Sequence, residues 1–98
     1  MQLVVLGLNH RSAAVEVRER FAFDKNEVPG ALNRLYGYEE ISECVILSTC
    51  NRTEIYAVLE GVEEPKAFML EAVRDLKGAD IIDEEWIYFH EERDCIEH

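Results

Sequence analysis

Two segments rich in β-branched and apolar residues, 43–48 and 53–59, are separated by a polar stretch of only four residues, 49–52. Segments of this length and composition are typical of β-strands. A polar connection this short between two strands indicates an antiparallel hairpin. The middle of the chain is therefore predicted to be a β-hairpin.

An amphipathic helix is predicted before the hairpin. From Val28, apolar residues recur at helical spacing, and Gly37 fits the position just after the helix. Either Asp24 or Asn26 can cap the start of this helix. Pro29 favours Asn26, because proline is tolerated in the first turn, where its missing N–H costs little.

The flanking segments supply two more strands and a second helix. An almost uninterrupted apolar run predicts a central strand over residues 2–9. A second amphipathic helix begins at Pro65 and ends at Gly78. Trp86–Phe89 supplies a last short strand.

The predicted order is β-α-β-β-α-β, the ferredoxin-like arrangement of the α+β class, with both helices on one face of the sheet. After the first strand, a polar loop with a short helical turn is predicted over residues 11–20, and Phe21 and Phe23 are expected to insert into the core. A further helix, truncated at His98, is predicted from Glu91. A chain of 98 residues has room for a single domain.

The predicted sheet is apolar on both faces, but two helices can cover only one of them. The residues in question are Leu3, Val5 and Val4, Leu6, Leu8 in the first strand, Ile46 and Val45, Leu47 in the second, and Ile55, Ala57 and Tyr56, Val58 in the third. The uncovered face is expected to pack against further helices of a longer protein. Without them, the chain is expected to self-associate.

The charge is strongly negative and unevenly distributed. The net charge is −11, and residues 59–98 hold 13 Asp and Glu against 4 Lys and Arg. Phosphate binding over a broad surface needs Lys and Arg, so a nucleic-acid partner would have to meet a local cluster of four arginines. These are Arg11, Arg18, Arg20 and Arg52.

The chain is predicted to be soluble and cytoplasmic. The apolar run at Leu3–Leu8 is too short to span a membrane and lacks the features of a secretory signal. Three cysteines at irregular spacing favour reduced thiols over a disulfide framework.

Two of these cysteines differ in their surroundings. Cys44 lies within an apolar strand and is interpreted as a small core residue without a function. Cys50 is flanked by hydroxyl, amide and guanidinium groups, and the nearby Arg52 would favour its thiolate. Cys50 is therefore a candidate nucleophile, and an incidental loop thiol is the alternative.

Other chemistry-bearing groups give weaker signals. His10, His90 and His98 could each supply an imidazole to a nucleophile, but each is also typical of a surface or capping residue. Cys95 and His98 have the spacing of metal ligands, yet one pair is too few for a zinc site, so no metal is predicted. The glycines match neither common phosphate-binding loop, so no nucleotide cradle is predicted within the chain.

Two stretches of the sequence resemble the N-terminal catalytic domain of glutamyl-tRNA reductase. The first is Gly7-Leu8-Asn9-His10-Arg11-Ser12-Ala13-Ala14-Val15 with Arg18-Glu19 after it, and the second is Ser48-Thr49-Cys50-Asn51-Arg52-Thr53-Glu54-Ile55-Tyr56. The hexapeptide Thr-Cys-Asn-Arg-Thr-Glu is highly specific for this family, and the resemblance spans the whole chain. Ala14 stands where the family usually has proline, a change expected to loosen a loop without touching reactive atoms.

The resemblance implies an NADPH-dependent oxidoreductase that converts glutamyl-tRNA(Glu) to glutamate-1-semialdehyde, the first step of the tRNA-dependent route to tetrapyrroles and haem. It makes Cys50 the nucleophile that forms a glutamyl thioester, which then accepts hydride, and His98 a second catalytic residue. Thr49, Asn51 and Arg52 would line the glutamyl pocket, with the planar guanidinium of Arg52 holding a substrate carboxylate.

The resemblance also implies that residues 1–98 are the N-terminal part of a longer catalytic domain. The NADPH-binding domain and the dimerisation domain of a homodimeric parent enzyme would then lie outside this chain. The alternative is a non-catalytic ferredoxin-like binding or interaction module in which Cys50 is a spectator. The reactivity of the Cys50 thiol discriminates between the two.

Overall fold

The computed structural model describes residues 1–8, 21–49, 52–78 and 86–92. It contains six elements in the predicted β-α-β-β-α-β order, so the α+β, ferredoxin-like prediction is confirmed. These elements are β1 (Gln2–Leu8), α1 (Val28–Tyr36), β2 (Ile41–Ser48), β3 (Thr53–Leu59), α2 (Pro65–Lys77) and β4 (Ile87–Glu92).

The four strands form one antiparallel sheet in the order β2-β3-β1-β4. Leu8 at the end of β1 pairs with Thr53 at the start of β3 and with Ile87 at the start of β4. Ser48 at the end of β2 pairs with Thr53 as well. We call this end of the sheet, defined by these four residues, the Leu8 end.

The hydrophobic core lies between one face of the sheet and the two helices. The core residues that are at most 5% exposed include Val4 and Leu6 of β1, Ile41 of β2, Ile55, Ala57 and Leu59 of β3, Leu35 of α1, and Met69 and Ala72 of α2. Phe21 and Phe23 are buried in the same core, as predicted. We call this side of the sheet the covered face.

The two helices begin and end close to the predicted positions. Asp24, not Asn26, caps the turn that leads into α1, since its Oδ1 accepts the backbone N–H groups of Asn26 at 2.8 Å and of Glu27 at 2.9 Å. The preference for Asn26 was wrong because a turn over residues 24–27, which Asp24 holds, precedes the helix, and the N-cap position falls on Glu27, whose side chain makes no capping hydrogen bond. Gly78 follows α2 with a φ of 62°, a left-handed conformation suited to glycine.

The largest departure from the prediction concerns the last strand. Glu91 and Glu92 belong to β4, where they pair with β1, so the prediction of a helix starting at Glu91 was wrong at these two positions. Pairing with a central strand outweighs the weak helical preference of a short acidic segment. The continuation of that helix over 93–98 and the predicted turn within 11–20 lie outside the described residues.

The second face of the sheet has no helix packed on it within the described residues. Val45 is 60% exposed, Leu47 43% and Tyr56 37%. We call this side the open face; by the strand registers it carries Leu3, Val5, Gly7, Val45, Leu47, Glu54, Tyr56, Val58, Tyr88 and His90. The prediction that two helices leave one apolar face uncovered is confirmed for the described part of the chain.

Candidate functional site

The hairpin between β2 and β3 is closed by contacts between Thr49 and Arg52. The backbone N–H of Thr49 donates to the carbonyl of Arg52 at 2.8 Å, and the N–H of Arg52 donates to Oγ1 of Thr49 at 3.2 Å. Cys50 and Asn51, which lie between them in the sequence, are outside the described residues. The predicted hairpin is therefore confirmed, and its connection lies at the Leu8 end.

Hydroxyl groups tie a second segment to the base of this hairpin. Ser48 Oγ accepts the backbone N–H of Phe23 at 3.0 Å and lies 3.4 Å from Oγ1 of Thr53. The chain that follows residues 9–20 is thus anchored where β2 ends and β3 begins. Phe23 is therefore held beside Ser48 and Thr53 at the Leu8 end.

Glu54 is a buried carboxylate on the open face, two residues after Arg52. Its side chain is 8% exposed. Oε1 accepts a hydrogen bond from the Tyr56 hydroxyl at 3.0 Å, and Oε2 accepts a short hydrogen bond from the Tyr88 hydroxyl. Nη1 of Arg52 lies 3.9 Å from Oε1. We call Arg52, Glu54, Tyr56 and Tyr88 the carboxylate cluster.

Gly7 makes room for this cluster. In the sheet, Gly7 of β1 pairs with Glu54 of β3 on one side and with Tyr88 of β4 on the other. The Tyr88 ring lies over Gly7 so closely that a Cβ at this position would overlap it. The absent side chain thus lets a hydroxyl from β4 reach across β1 to a carboxylate on β3.

Both tyrosine hydroxyls of the cluster are held in their protonated form. Burial and the hydrogen bond to Glu54 raise the pKa of Tyr88 to about 12. The hydrogen bond to Glu54 is also the main cause that raises the pKa of Tyr56. At neutral pH both groups therefore act as hydrogen-bond donors to the carboxylate.

Cys44 has the surroundings of a core residue, as its position in an apolar strand predicts. It is 7% exposed, and burial raises the pKa of its thiol. Its backbone N–H donates to the Tyr36 hydroxyl at 3.3 Å. A buried thiol that is harder to ionise is a poor nucleophile at neutral pH.

Of the predicted site residues, the structure describes Thr49 and Arg52 and places both at the Leu8 end. Cys50, Asn51 and His98 lie outside the described residues, so their roles remain predictions.

Sequence reasoning did not single out Glu54 or Tyr88. The period-two alternation of β3 predicts that Glu54 and Tyr56 share a face, so their contact could have been predicted from the sequence. No sequence pattern predicts the contact of Tyr88, because it depends on the register of β4 against β1.

The N-termini of the two described helices, α1 and α2, do not fit the phosphates of NADPH. Phosphates are commonly bound by free backbone N–H groups at helix N-termini. Here both helices have a glutamate at the N-cap, Glu27 and Glu64, and a proline in the first turn that removes one N–H. A negatively charged cap and a missing donor both oppose anion binding.

The described part of the chain holds neither a metal-binding cluster nor a membrane-spanning helix. There, no three His, Cys, Asp or Glu side chains come together in a group that could hold a metal ion. None of the helices found there has the length and apolar character needed to cross a membrane.

The fold and this site define a class: a small α+β domain whose polar hairpin turn presents an arginine beside a buried carboxylate. The family described as "Glutamyl-tRNAGlu reductase, N-terminal domain" matches residues 6–98. The chain belongs to this family.

Curated relatives and a solved structure agree with this assignment. The chain is 41% identical over 98 residues to a glutamyl-tRNA reductase of Stenotrophomonas maltophilia (strain K279a), and 40% identical over 99 residues to one of Pelotomaculum thermopropionicum. Both matches cover 100% of this chain but only 21% and 22% of the relatives. The chain therefore spans about a fifth of the length of these proteins.

A glutamyl-tRNA reductase structure from Methanopyrus kandleri is similar in fold as well as in sequence. The similarity has a TM-score of 0.59 at 28% sequence identity. It covers 92% of this chain and 19% of that one. The relatives and this structure share the name of an enzyme, a reductase.

Proposed function

We propose that this chain forms part of the catalytic domain of a cytoplasmic glutamyl-tRNA reductase, which converts glutamyl-tRNA(Glu) to glutamate-1-semialdehyde at the entry to tetrapyrrole and haem biosynthesis. The observation that carries the proposal is the family match over residues 6–98, which includes the whole 49–52 turn. The proposed enzyme is a homodimer, and residues outside 1–98 complete the domain, bind NADPH and form the dimer.

In this proposal the chain performs the acyl-transfer step. The Cys50 thiolate attacks the carbonyl carbon of the glutamyl ester, so that a carbon–sulfur bond forms and the ester bond to the tRNA ribose breaks. The ribose oxygen leaves with a proton, and a glutamyl thioester remains on Cys50. His98 is the proposed second catalytic residue, since an imidazole can deliver a proton at neutral pH.

Arg52 is the proposed binding group for a carboxylate of the glutamyl moiety. Its side chain is 58% exposed, and its Nη1 lies 3.9 Å from Oε1 of Glu54. A guanidinium has five N–H donors in a planar fork, so one long contact leaves an edge for bidentate binding of a second carboxylate. Thr49 and Asn51 are proposed to line the same pocket.

NADPH is proposed to supply the reducing equivalents when it is bound elsewhere in the enzyme. The glutamate caps and prolines of α1 and α2 support its placement outside this chain. The acidic character of the chain, with a net charge of −11, also opposes binding of the cofactor phosphates.

The decisive experiment replaces the nucleophile in the full-length protein. We expect Cys50→Ser to abolish both the thioester intermediate and the reduction of glutamyl-tRNA, because a serine hydroxyl is a far weaker nucleophile than a thiolate. Mass spectrometry of the trapped acyl-enzyme and turnover assays measure the two losses.

Cys44→Ala is the matched control, since it removes the buried thiol of the covered face and should leave turnover intact. Near-normal turnover by Cys50→Ser would contradict the proposal. It would favour the non-catalytic module instead.

A further inference from the structure

We propose that Glu54 is a positioning residue, which directs the Arg52 guanidinium toward the carboxylate of an acidic acyl substrate and is itself held by Tyr88 and Tyr56. The inference rests on the proposed function, because that function gives Arg52 its ligand. It adds three residues that neither chemical motifs nor the family match assign to a role.

The first argument is the unusual environment of Glu54. A carboxylate that is only 8% exposed is costly unless hydrogen bonds and a counter-charge compensate it. Each of its oxygens receives one tyrosine hydroxyl, Tyr56 on Oε1 and Tyr88 on Oε2. The carboxylate is therefore held at both oxygens, and among the described residues the positive charge beside it is that of Arg52.

The second argument is the geometry of the Arg52 contact. The 3.9 Å separation between Nη1 and Oε1 exceeds the length of a hydrogen bond, so Glu54 attracts the guanidinium without occupying its donors. A closer bidentate pair would use the same fork that a substrate carboxylate needs. An exposed arginine without such a restraint would lose more conformational freedom on binding.

The third argument is the origin of the Tyr88 hydroxyl. It comes from β4, two strands away from β3, and it reaches Glu54 only because Gly7 of β1 has no side chain. The hydrogen bond thus couples the far edge of the sheet to the hairpin that carries Arg52. Because this hydrogen bond lies on the open face, it orients the Glu54 carboxylate and does not add to the packing of the core.

A double-mutant cycle in the full-length protein tests whether Tyr88 acts through Arg52. The variants are Tyr88→Phe, Arg52→Ala and the two combined, assayed for KM and kcat with glutamyl-tRNA and for single-turnover thioester formation. We expect Tyr88→Phe to raise KM about 10-fold with a smaller change in kcat, the loss of one hydrogen bond to a charged group. In the Arg52→Ala background the same change should cause no further loss.

Tyr38→Phe is the matched control. This substitution also removes a tyrosine hydroxyl that donates to a carboxylate, since the Tyr38 hydroxyl donates to Asp75 at 2.7 Å. Tyr38, however, lies on the helical side of the molecule. KM should stay at the wild-type value. If Tyr88→Phe does not fold, Tyr56→Phe removes the donor to the other Glu54 oxygen and is measured in the same cycle.

Two results would overturn the inference. An equal loss in both backgrounds would mean a structural role that is independent of Arg52, and no loss in either would mean that the hydroxyl has no role in substrate binding. A wild-type protein that forms no thioester from glutamyl-tRNA would overturn the proposed function instead, so the two failures are distinguishable.

Discussion

The two faces of the sheet are built on opposite principles. On the covered face, Val4, Ile55 and Leu59 are between 0% and 2% exposed and pack against helices. On the open face, Val45 is 60% exposed and Leu47 43%, while the carboxylate of Glu54 is buried. One face hides its apolar groups, and the other hides a charge.

The covered face therefore contributes most of the stability, and the open face carries the groups that are oriented for chemistry. Burial of apolar area stabilises the fold without regard to direction. A buried carboxylate that accepts two hydroxyl hydrogen bonds has a fixed orientation, but its burial costs free energy because the charge loses its hydration. The covered face is therefore expected to tolerate changes that preserve volume, whereas the open face should be sensitive to the loss of single polar atoms.

The largest expected effect is a cavity on the covered face. Leu59→Ala should lower the free energy of unfolding by about 2–5 kcal/mol, because the residue is fully buried. Val45→Ala on the open face should cost less than about 1 kcal/mol. Urea unfolding of the two variants measures both. Similar losses would show that Val45 is also packed in solution.

A smaller loss of stability is expected from a substitution at Gly7, which lies on the open face beneath the Tyr88 ring. Gly7→Ala should cost about 1–3 kcal/mol, because the new methyl group must displace the Tyr88 ring. Gly30→Ala is the control: a Cβ on Gly30 meets nothing within 4 Å, and alanine is the better helix former. Thermal unfolding compares the two. An unchanged stability of Gly7→Ala would contradict the close approach of Tyr88.

The exposed apolar groups of the open face should bind other surfaces. We expect the isolated chain to self-associate or to bind the dye ANS, despite a net charge of −11 that favours solubility. Light scattering and dye fluorescence measure this. A variant with Val45→Thr and Leu47→Gln should show less of both. A monomer that binds no dye would mean that residues of this chain cover the face.

The smallest expected effect concerns alkaline pH. The pKa of Tyr88 lies above the ordinary value of 10.0, so the folded protein holds this proton more tightly than the unfolded chain does. The stability that the hydroxyl contributes is present below pH 10 and is lost as the pH rises toward 12. Between pH 9 and 11, the free energy of unfolding should therefore fall less steeply with pH in Tyr88→Phe than in the wild-type protein. Identical slopes would contradict this.

Sequence periodicity was sufficient for the framework but not for the buried charge. The helices at 28–36 and 65–77 follow from apolar spacing and from prolines and glycines at their ends, which are local signals. The end of β4 and the contact of Tyr88 with Glu54 depend on how distant strands pair. No local pattern contains that register, so the sequence pattern predicts a helix from Glu91 and gives Tyr88 no role.

The candidate site divides in the same way. The motif at 49–52 indicated a polar hairpin, and the hydrogen bonds between Thr49 and Arg52 confirm it. The placement of Cys50 and His98 remains a prediction from family resemblance. The burial of Glu54 could be found only in three dimensions, because a glutamate in a strand of a two-layer fold is ordinarily solvated.

The central position of β1 has a consequence for synthesis on the ribosome. This strand is made early, yet its neighbours in the sheet are β3 and β4, which are made much later. The β2–β3 hairpin can close locally as soon as it emerges, whereas β1 must remain unpaired until the hairpin is available. One edge of β1 then stays open until Ile87 and its neighbours arrive. A nascent chain that pauses before that point exposes an apolar strand edge, the kind of surface that chaperones protect from aggregation.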